Sequence, residues 1–181
     1  MQGMTFTSKT RRKIQIRNPS IDDVSIMRDY INELSNERTF IRFQGEQVSL
    51  EEERAFLQDQ LEKIKNGQAV LLLAFSENQL IGIAGIELSD KTERHIGNFG
   101  ISIKKEYRGD GIGTMLMEKT LEEARKKLSG LEIVTLYFFS NNRVGLEMYR
   151  KLGFIQYGVL PRGTKFEKGY ADHVMMYKPL R

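Results

Sequence analysis

The sequence predicts a mixed α/β domain in which one sheet lies between helices. Short apolar or alternating segments predict seven strands, and helical periodicity predicts four helices, in the order βααβββαβαββ. Strands follow one another in runs without an intervening helix. Such runs favour a mixed sheet flanked by helices over a doubly wound parallel sheet.

The first part of the chain predicts a flexible arm, a strand and two helices. Residues 1–12 are polar and are expected to form a flexible N-terminal arm, so that the single domain covers 13–181. Alternation over Lys13–Arg17 predicts the first strand. Ser20 and Ser49 are each followed three residues later by an acidic residue, and this capping box predicts the start of a helix.

Three strands precede the longest predicted helix. Ala69–Phe75 and Leu80–Leu88 predict two apolar strands joined by a short polar turn. Alternation in the next segment predicts a third strand, which begins at His95. The long helix that follows carries its apolar residues on one face: Met117, Leu121, Ala124 and Leu128.

The last third of the chain predicts a strand, a short helix and two closing strands. Leu131–Phe139 is almost entirely apolar and predicts a strand buried on both faces. Asn141 and Asn142 are suitable caps for a short helix. The chain is expected to close with strands over Phe154–Leu160 and Ala171–Tyr177, joined by a loop over Pro161–Gly169.

A glycine-rich loop, RGDGIG at Arg108–Gly113, joins a strand to the long helix. A strand that turns through glycines into a helix leaves the amides of the first turn without internal acceptors, and an anion is their natural ligand. The P-loop requires Gly-Lys-Ser/Thr at its end, whereas Thr114 and Met115 follow here, and the dinucleotide fingerprint requires glycine at 114. Taken alone, such a loop is more often a turn than a ligand site.

The residues around this loop resemble the acetyl-CoA motif of the GCN5-related N-acetyltransferase (GNAT) family. That motif has an apolar residue, four residues, Arg or Gln, and then xxGxG, which matches Ile103, Arg108, Gly111 and Gly113. A second segment, NRVGLEMYRKLGF at Asn142–Phe154, is similar to the later motif of the family. The resemblance implies a twisted, mostly antiparallel, seven-stranded sheet whose fourth and fifth strands splay apart around acetyl-CoA.

The resemblance also implies which residues bind the co-substrate. The main chain of the splayed strand would bind the pantetheine arm, and the amides of the loop would bind the pyrophosphate, with the Asp110 side chain turned to solvent. Asn142 is a helix cap or a co-substrate contact. The predicted cofactor-binding residues are Ile101, Ser102, Ile103, Arg108, Gly109, Asp110, Gly111, Ile112, Gly113, Thr114, Asn142 and Tyr149.

Three residues are candidates for proton transfer. Tyr149 has the phase of a core residue, but the family resemblance implies that it protonates the departing thiolate. His95 shares strand phase with Phe99 and Ile101, so it would face the same cleft and could act as the general base. Glu87 could act through a water molecule, and a water chain without a single base is the third alternative.

The acceptor is expected to meet two other segments. Phe40 and Phe43 lie in an irregular polar loop, where they either tuck beneath the domain or wall an acceptor pocket. Tyr170 and Asp172 are similar to the Gly-x-Tyr-x-Asp ending of relatives that acetylate small amines or N-termini. Asp172 would attract a cationic amine, or else pair with a lysine.

Composition excludes several classes of function. The chain has no cysteine, which excludes disulfides, a thiol nucleophile and a cysteine-ligated zinc, and no metal is expected. No apolar run is long enough to span a membrane, and no signal peptide is visible, so a cytoplasmic protein is expected. The net charge of +4 is dispersed. The one basic cluster without acidic residues comprises Lys9, Arg11, Arg12, Lys13 and Arg17.

The sequence therefore predicts an N-acetyltransferase that moves acetyl from acetyl-CoA directly to a primary amine of a small molecule or of a protein or peptide N-terminus. A homodimer is common in the family that the chain resembles. One alternative is a non-catalytic acyl-CoA-binding sensor. A basic nucleic-acid-binding module that uses the N-terminal cluster is a further alternative, and neither explains the two motifs in register.

Overall fold

A computed structural model describes residues 3–167 and 169–180. Within them, eight strands form one sheet in the order β1-β2-β3-β4-β5-β6-β8-β7. The strands are β1 (Met4–Thr7), β2 (Lys13–Arg17), β3 (Ala69–Ser76), β4 (Gln79–Leu88), β5 (Ile96–Ile103), β6 (Ile133–Phe139), β7 (Ile155–Phe166) and β8 (Gly169–Pro179). The α-helices are α1 (Val24–Asn36), α2 (Leu50–Lys65), α3 (Ile112–Lys127) and α4 (Arg143–Lys151).

The pairing of β5 with β6 creates an opening in the sheet. These two strands are parallel, and their ladder covers only Ile96–Asn98 against Ile133–Thr135. Both strands continue beyond the ladder, β5 to Ile103 and β6 to Phe139. They therefore splay apart and leave a gap, which we call the splayed gap, between Phe99–Ile103 and residues 136–139.

The sheet separates two hydrophobic cores. On one face, which we call the α3 face, helix α3 buries residues such as Leu116 and Met117 against the sheet, and Tyr149 from α4 belongs to the same core. On the other face, the α1–α2 face, Met27 and Leu57 pack against β3 and β4. A fully buried leucine stabilises the fold by roughly 1.5–3 kcal/mol, so both faces are firmly attached.

The N-terminal segment forms an eighth strand where the sequence predicted seven and an arm over 1–12. Met4–Thr7 pairs with β2 in antiparallel register, with Phe6 opposite Ile14. Phe6 packs against the α3-face core. This segment is mostly polar and contains only one large aromatic side chain, so its sequence shows no clear alternation that would predict a strand.

Two predictions about the second half of the sheet are wrong, the first about the loop at Pro161–Gly169 and the second about the burial of β6. The predicted loop Pro161–Gly169 is mostly strand, because β7 continues to Phe166 and β8 begins at Gly169. A register shift between Leu160 and Thr164 accommodates Pro161, which lacks an amide hydrogen for the ladder.

Strand β6 was expected to be buried on both faces, and it is not. Val134, Leu136 and Phe138 are buried on the α3 face, whereas Tyr137 is 47% exposed on the other. Helices α1 and α2 pack on β3 and β4 rather than on β6. The α1–α2 face of β6 is therefore open at Tyr137, whereas Phe139 at the end of the strand is buried.

Candidate active site

The glycine loop presents an uninterrupted run of free amides at the mouth of the splayed gap. None of the backbone amides from Gly109 to Thr114 has a hydrogen-bond acceptor within residues 3–167 and 169–180. The first bond of α3 runs from Met115 N to the carbonyl of Gly111, at 3.1 Å. The free amides and the positive end of the α3 dipole together form a site for an anion.

Glycine is required at two positions of this loop. Gly109 and Gly111 have φ angles of 78° and 81°, in the left-handed region that other residues enter at a cost of roughly 1–2 kcal/mol. A Cβ added to Gly109 would meet no atom within 4 Å, so the loop is open on its outer side. A polyphosphate can therefore approach the amides closely.

The Arg108 side chain does not turn toward the free amides. Its Nε donates to the carbonyl of Ile103 at 2.8 Å, and its terminal nitrogen pairs with Glu37 at 2.5 Å. Glu37 follows the last residue of α1 and is itself largely buried. Arg108 therefore fastens the loop to the end of α1, and only its backbone belongs to the anion site.

The prediction that the Asp110 side chain points to solvent is wrong. Its carboxylate is buried and accepts hydrogen bonds from the amide and the hydroxyl of Thr10, both at 2.7 Å. The neighbouring Ser8 hydroxyl, and then these two bonds, lower the pKa of Asp110. Asp110 thus remains ionised and holds the turn between β1 and β2 against the loop.

The edge of β5 offers main-chain groups to the splayed gap. The carbonyl of His95 accepts the amide of Glu132 from the β6 side. Because backbone groups alternate along a strand, those of Ile101 and Ile103 point to the same side as those of His95, and the carbonyl of Ile103 already accepts Arg108 Nε. Ser102 does not join them, since its hydroxyl bonds to the Tyr30 hydroxyl at 2.9 Å on the α1–α2 face.

Tyr149 lies in the α3-face core with its hydroxyl free. Its ring packs against Phe138 and Phe154, with centroid separations of 5.2 and 6.2 Å. Burial raises the pKa of Tyr149 to about 12. Its hydroxyl has no hydrogen-bond partner among the described residues, where every fully enclosed side-chain polar atom has one. The hydroxyl is therefore protonated and reaches solvent.

Asn142 is the N-cap of α4. Its Oδ1 accepts the amide of Gly145 at 2.9 Å. A Cβ on Gly145 would lie 2.8 Å from Nδ2 of the same asparagine, which explains the small residue three positions after it. The cap uses the side-chain oxygen of Asn142, whereas its Nδ2 makes no hydrogen bond within the described part of the chain.

The structure does not bring the two predicted bases to the Tyr149 hydroxyl. His95 precedes β5 at the closed end, eight residues from Ile103, or roughly 26 Å along an extended strand. Glu87 lies opposite Asn98, where the β5–β6 ladder ends, but Lys63 and Gln60 of α2 bind its carboxylate at 2.7 and 3.0 Å.

The four predicted acceptor residues do not form one pocket. Phe40 lines a depression of about 410 Å³ on the α1–α2 face, and Phe43 is not part of its lining. Tyr170 and Asp172 have the strand phase of Val174, which belongs to the α3-face core. Asp172 accepts the amide of Arg162 at 2.8 Å. The depression is lined by Arg38, Thr39, Phe40, Gln44, Asn141, Phe166 and Glu167.

A cluster that the sequence did not reveal adjoins this depression. Tyr137 stacks on His173 with centroids 4.6 Å apart, and Phe139 packs against both His173 and Phe166, at 5.8 and 5.5 Å. His173 Nε2 lies 2.6 Å from the Thr164 hydroxyl. We call Tyr137, Phe139, Phe166 and His173 the aromatic wall. The alternation of Tyr137 and Phe139 is the signal that could have indicated it.

The described residues contain no cluster of three or more His, Cys, Asp or Glu side chains that could hold a metal ion. None of the helices in that part of the chain has the length and apolar character needed to cross a membrane.

The chain is similar to known acetyltransferases in sequence and in structure. The model of the "Acetyltransferase (GNAT) family" matches residues 28–154. An uncharacterized N-acetyltransferase of Methanocaldococcus jannaschii is 36% identical over 89 residues, which cover 49% of this chain and 35% of that protein. Three of the curated relatives are aligned over 35%, 42% and 61% of their own length, so this chain spans less than two thirds of each of these three.

Solved structures match over nearly the whole chain. A GNAT acetyltransferase of Streptococcus pneumoniae has a TM-score of 0.84 at 29% identity and covers 93% of this chain and 99% of its own. The protein yncA of Salmonella typhimurium, solved with acetyl-CoA, has a TM-score of 0.80 at 17% identity, covering 93% and 94%. The predicted family and fold class are confirmed: the chain belongs to the GNAT family of acetyltransferases.

Proposed function

We propose that the protein transfers acetyl from acetyl-CoA directly to a primary amine, of a small molecule or of a peptide or protein N-terminus. The observation that carries this proposal is the run of free amides from Gly109 to Thr114 beside a splayed strand edge. A bound polyanion with a peptide-like arm would satisfy both features at once.

The residues present fit acetyl-CoA, which supplies an acetyl thioester when bound. The loop amides would hold its pyrophosphate, and the backbone edge at Ile101 and Ile103 would align the arm as an added strand. The Tyr149 hydroxyl would lie beside the leaving sulfur. Holding thioester and amine together accounts for most of the rate gain that such a site can provide.

The chemical step needs three proton movements. The attacking ammonium must lose a proton before its nitrogen bonds to the carbonyl carbon, and the carbon–sulfur bond then breaks. The sulfur takes its proton from Tyr149, whose pKa of about 12 keeps the phenol protonated at neutral pH. The nitrogen, now bonded to the carbonyl carbon, loses its second proton, which returns to the phenolate through water.

His173 is the best-placed acceptor for the ammonium proton. Its Nε2 meets Thr164, while Nδ1 has no partner among the described residues and reaches solvent. Imidazole changes charge between pH 5 and 8, which suits this role. Glu87 is less suited, because both of its carboxylate oxygens are already bound, one by Lys63 and the other by Gln60.

The aromatic wall also suits a cationic amine. Ring faces attract ammonium groups, and Tyr137 is exposed beside the gap. The depression next to it is open and bordered by Arg38 and Glu167, so it can admit a small amine with an apolar substituent or the end of a peptide. A homodimer and a cytoplasmic location stay predictions.

An amine panel tests the proposal. Purified protein, acetyl-CoA and a set of amino acids, polyamines and peptide N-termini would be assayed for free thiol, with products identified by mass. We expect acetylation of at least one amine at a rate that Tyr149→Phe lowers. Tight CoA binding without acetylation of any amine would contradict the proposal and indicate a non-catalytic acyl-CoA sensor.

A further inference from the structure

The turn between β1 and β2 is attached to the glycine loop. We call Ser8–Arg12 the basic turn. Asp110 accepts two hydrogen bonds from Thr10, and the carbonyl of Asp110 accepts the amide of Lys9 at 3.2 Å. The turn is closed internally by the bond from Ser8 N to the Arg12 carbonyl, at 2.9 Å. A segment one hundred residues away in sequence thus has a fixed position beside the free amides.

The Lys9 side chain lies across the start of α3. A Cβ placed on Gly111 would be 3.3 Å from Cε of Lys9 and 3.5 Å from its Cγ. The Lys9 ammonium has no ion-pair or hydrogen-bond partner in the part of the chain that the structure describes. Its positive charge is therefore uncompensated at a point where the helix and the amides already favour an anion.

Other members of the basic cluster are engaged elsewhere. Arg12 stacks over the Tyr107 ring at 4.7 Å and donates to the carbonyl of Glu106. Arg17 pairs with Asp23 at 2.6 Å. Of these three side chains, Lys9 is the one that lies against Gly111 of the loop.

We infer that the basic turn is part of the co-substrate site, and that Lys9 contacts the pyrophosphate of coenzyme A. This inference rests on the proposed function. The carboxylate of Asp110 is ionised next to a polyanion, which by itself is unfavourable. The contribution of Asp110 is to hold the turn that carries Lys9. The Asp110 carboxylate thereby positions the Lys9 ammonium group.

The first test compares two lysines of the same hairpin. Lys9→Ala removes the proposed contact. Lys13→Ala is the control and removes an equal charge from β2. Residue 13 alternates with the buried Ile14 and Ile16, so its side chain faces away from the α3 face. Isothermal titration with coenzyme A should show a loss of about 10-fold for Lys9→Ala, the size of one charge-assisted hydrogen bond. Lys13→Ala should stay within about 2-fold, since its charge is screened from the loop.

A second ligand identifies the phosphate. 3′-Dephospho-coenzyme A keeps the pyrophosphate and lacks the ribose phosphate. An equal loss for Lys9→Ala with both ligands supports a pyrophosphate contact. A loss confined to coenzyme A overturns that assignment, and equal affinities of Lys9→Ala and the unchanged protein for both ligands overturn the inference while leaving the proposed function intact. If the unchanged protein binds neither ligand, the proposed function fails as well.

Asp110→Asn separates positioning from charge. Removing a negative charge beside a polyanion should tighten binding if charge alone matters. If Asp110 positions the basic turn, coenzyme A binding should weaken by roughly 3- to 10-fold, and the loss should vanish in the Lys9→Ala background. Tighter binding in Asp110→Asn, or an undiminished loss in the double variant, would overturn the positioning role. Circular dichroism confirms that each variant is folded.

Discussion

The two sides of the splayed gap are built in different ways. On the side proposed to bind the co-substrate, the consecutive residues Gly109–Thr114 present free backbone amides. On the side proposed for the acceptor, individual side chains of β6, β7 and β8 form the aromatic wall. Residues of the loop after α1 line the neighbouring depression. A backbone site depends on where glycine is allowed, whereas a side-chain wall depends on tertiary contacts. The two sides should therefore respond differently to substitution.

The largest effect is expected on the backbone side. Gly111→Trp places an indole against the Lys9 side chain at the start of α3 and should lower coenzyme A affinity by at least about 100-fold in isothermal titration. Gly130→Trp is the matched control, because Gly130 also has a positive φ, 88°, and its Cβ would meet nothing within 4 Å. Both variants carry roughly 1–2 kcal/mol of backbone strain. Equal affinity of the two variants would disprove the anion assignment.

Tyr149→Phe should act on turnover and not on binding. We expect kcat to fall by about 100-fold, within the range for loss of a general acid, with acetyl-CoA affinity within about 2-fold. Stability should change little, because the hydroxyl makes no bond within residues 3–167 and 169–180. A parallel loss of affinity and kcat would mark Tyr149 as a packing residue.

The pH profile gives a separate test of Tyr149. Its pKa of about 12 means that the protonated, competent form persists as pH rises from 7 and is lost only near pH 12. We therefore expect no descending limb from this group between pH 8 and 10.5 in kcat measured with saturating substrates. A decline in that range that Tyr149→Phe removes would contradict the raised pKa.

On the acceptor side, His173→Gln should cost less. We expect kcat/KM to fall by about 10-fold at neutral pH, because glutamine cannot take up the ammonium proton. Glu87→Gln is the comparison variant and should keep kcat/KM within about 2-fold. The opposite pattern would assign the base to Glu87 and not to the aromatic wall.

The smallest effect is expected where the two sides are joined. Glu37→Gln removes the ion pair with Arg108 but keeps the side-chain shape. Coenzyme A affinity should fall by about 3-fold, and the midpoint of thermal unfolding should drop slightly, as for a partly buried pair. Glu122→Gln, which breaks only surface pairs with Lys119 and Lys126, should leave affinity unchanged. An effect of similar size in both variants would show that Glu37 does not connect the loop to α1.

The same comparison explains how far the sequence could predict the molecule. The glycine loop could be recognised from the sequence because its left-handed φ angles require glycine at Gly109 and Gly111. Asn142 and Gly145 could be recognised because the side chain of Asn142 accepts the amide of Gly145, which requires this short spacing. Such local constraints leave a spacing that does not depend on the rest of the fold.

What the sequence missed depends on long-range contacts. The direction of the Asp110 side chain is set by Thr10, far away in the chain, and nothing within the loop indicates it. The aromatic wall needs the register of Phe139 with His173, which follows from strand order and not from composition. His95 was placed in the cleft by strand phase alone, which gives a face of the sheet but not the distance along it.

The most direct test of the central claim is an amide titration. Isotope-labelled protein would be titrated with coenzyme A while the backbone amide signals are followed by NMR. The largest shifts should fall on Gly109–Thr114, followed by the gap edge at Ile101 and Ile103, because these amides have no protein acceptor and would gain one. Saturating coenzyme A that leaves the loop amides unshifted, or that shifts another part of the molecule instead, would contradict the account.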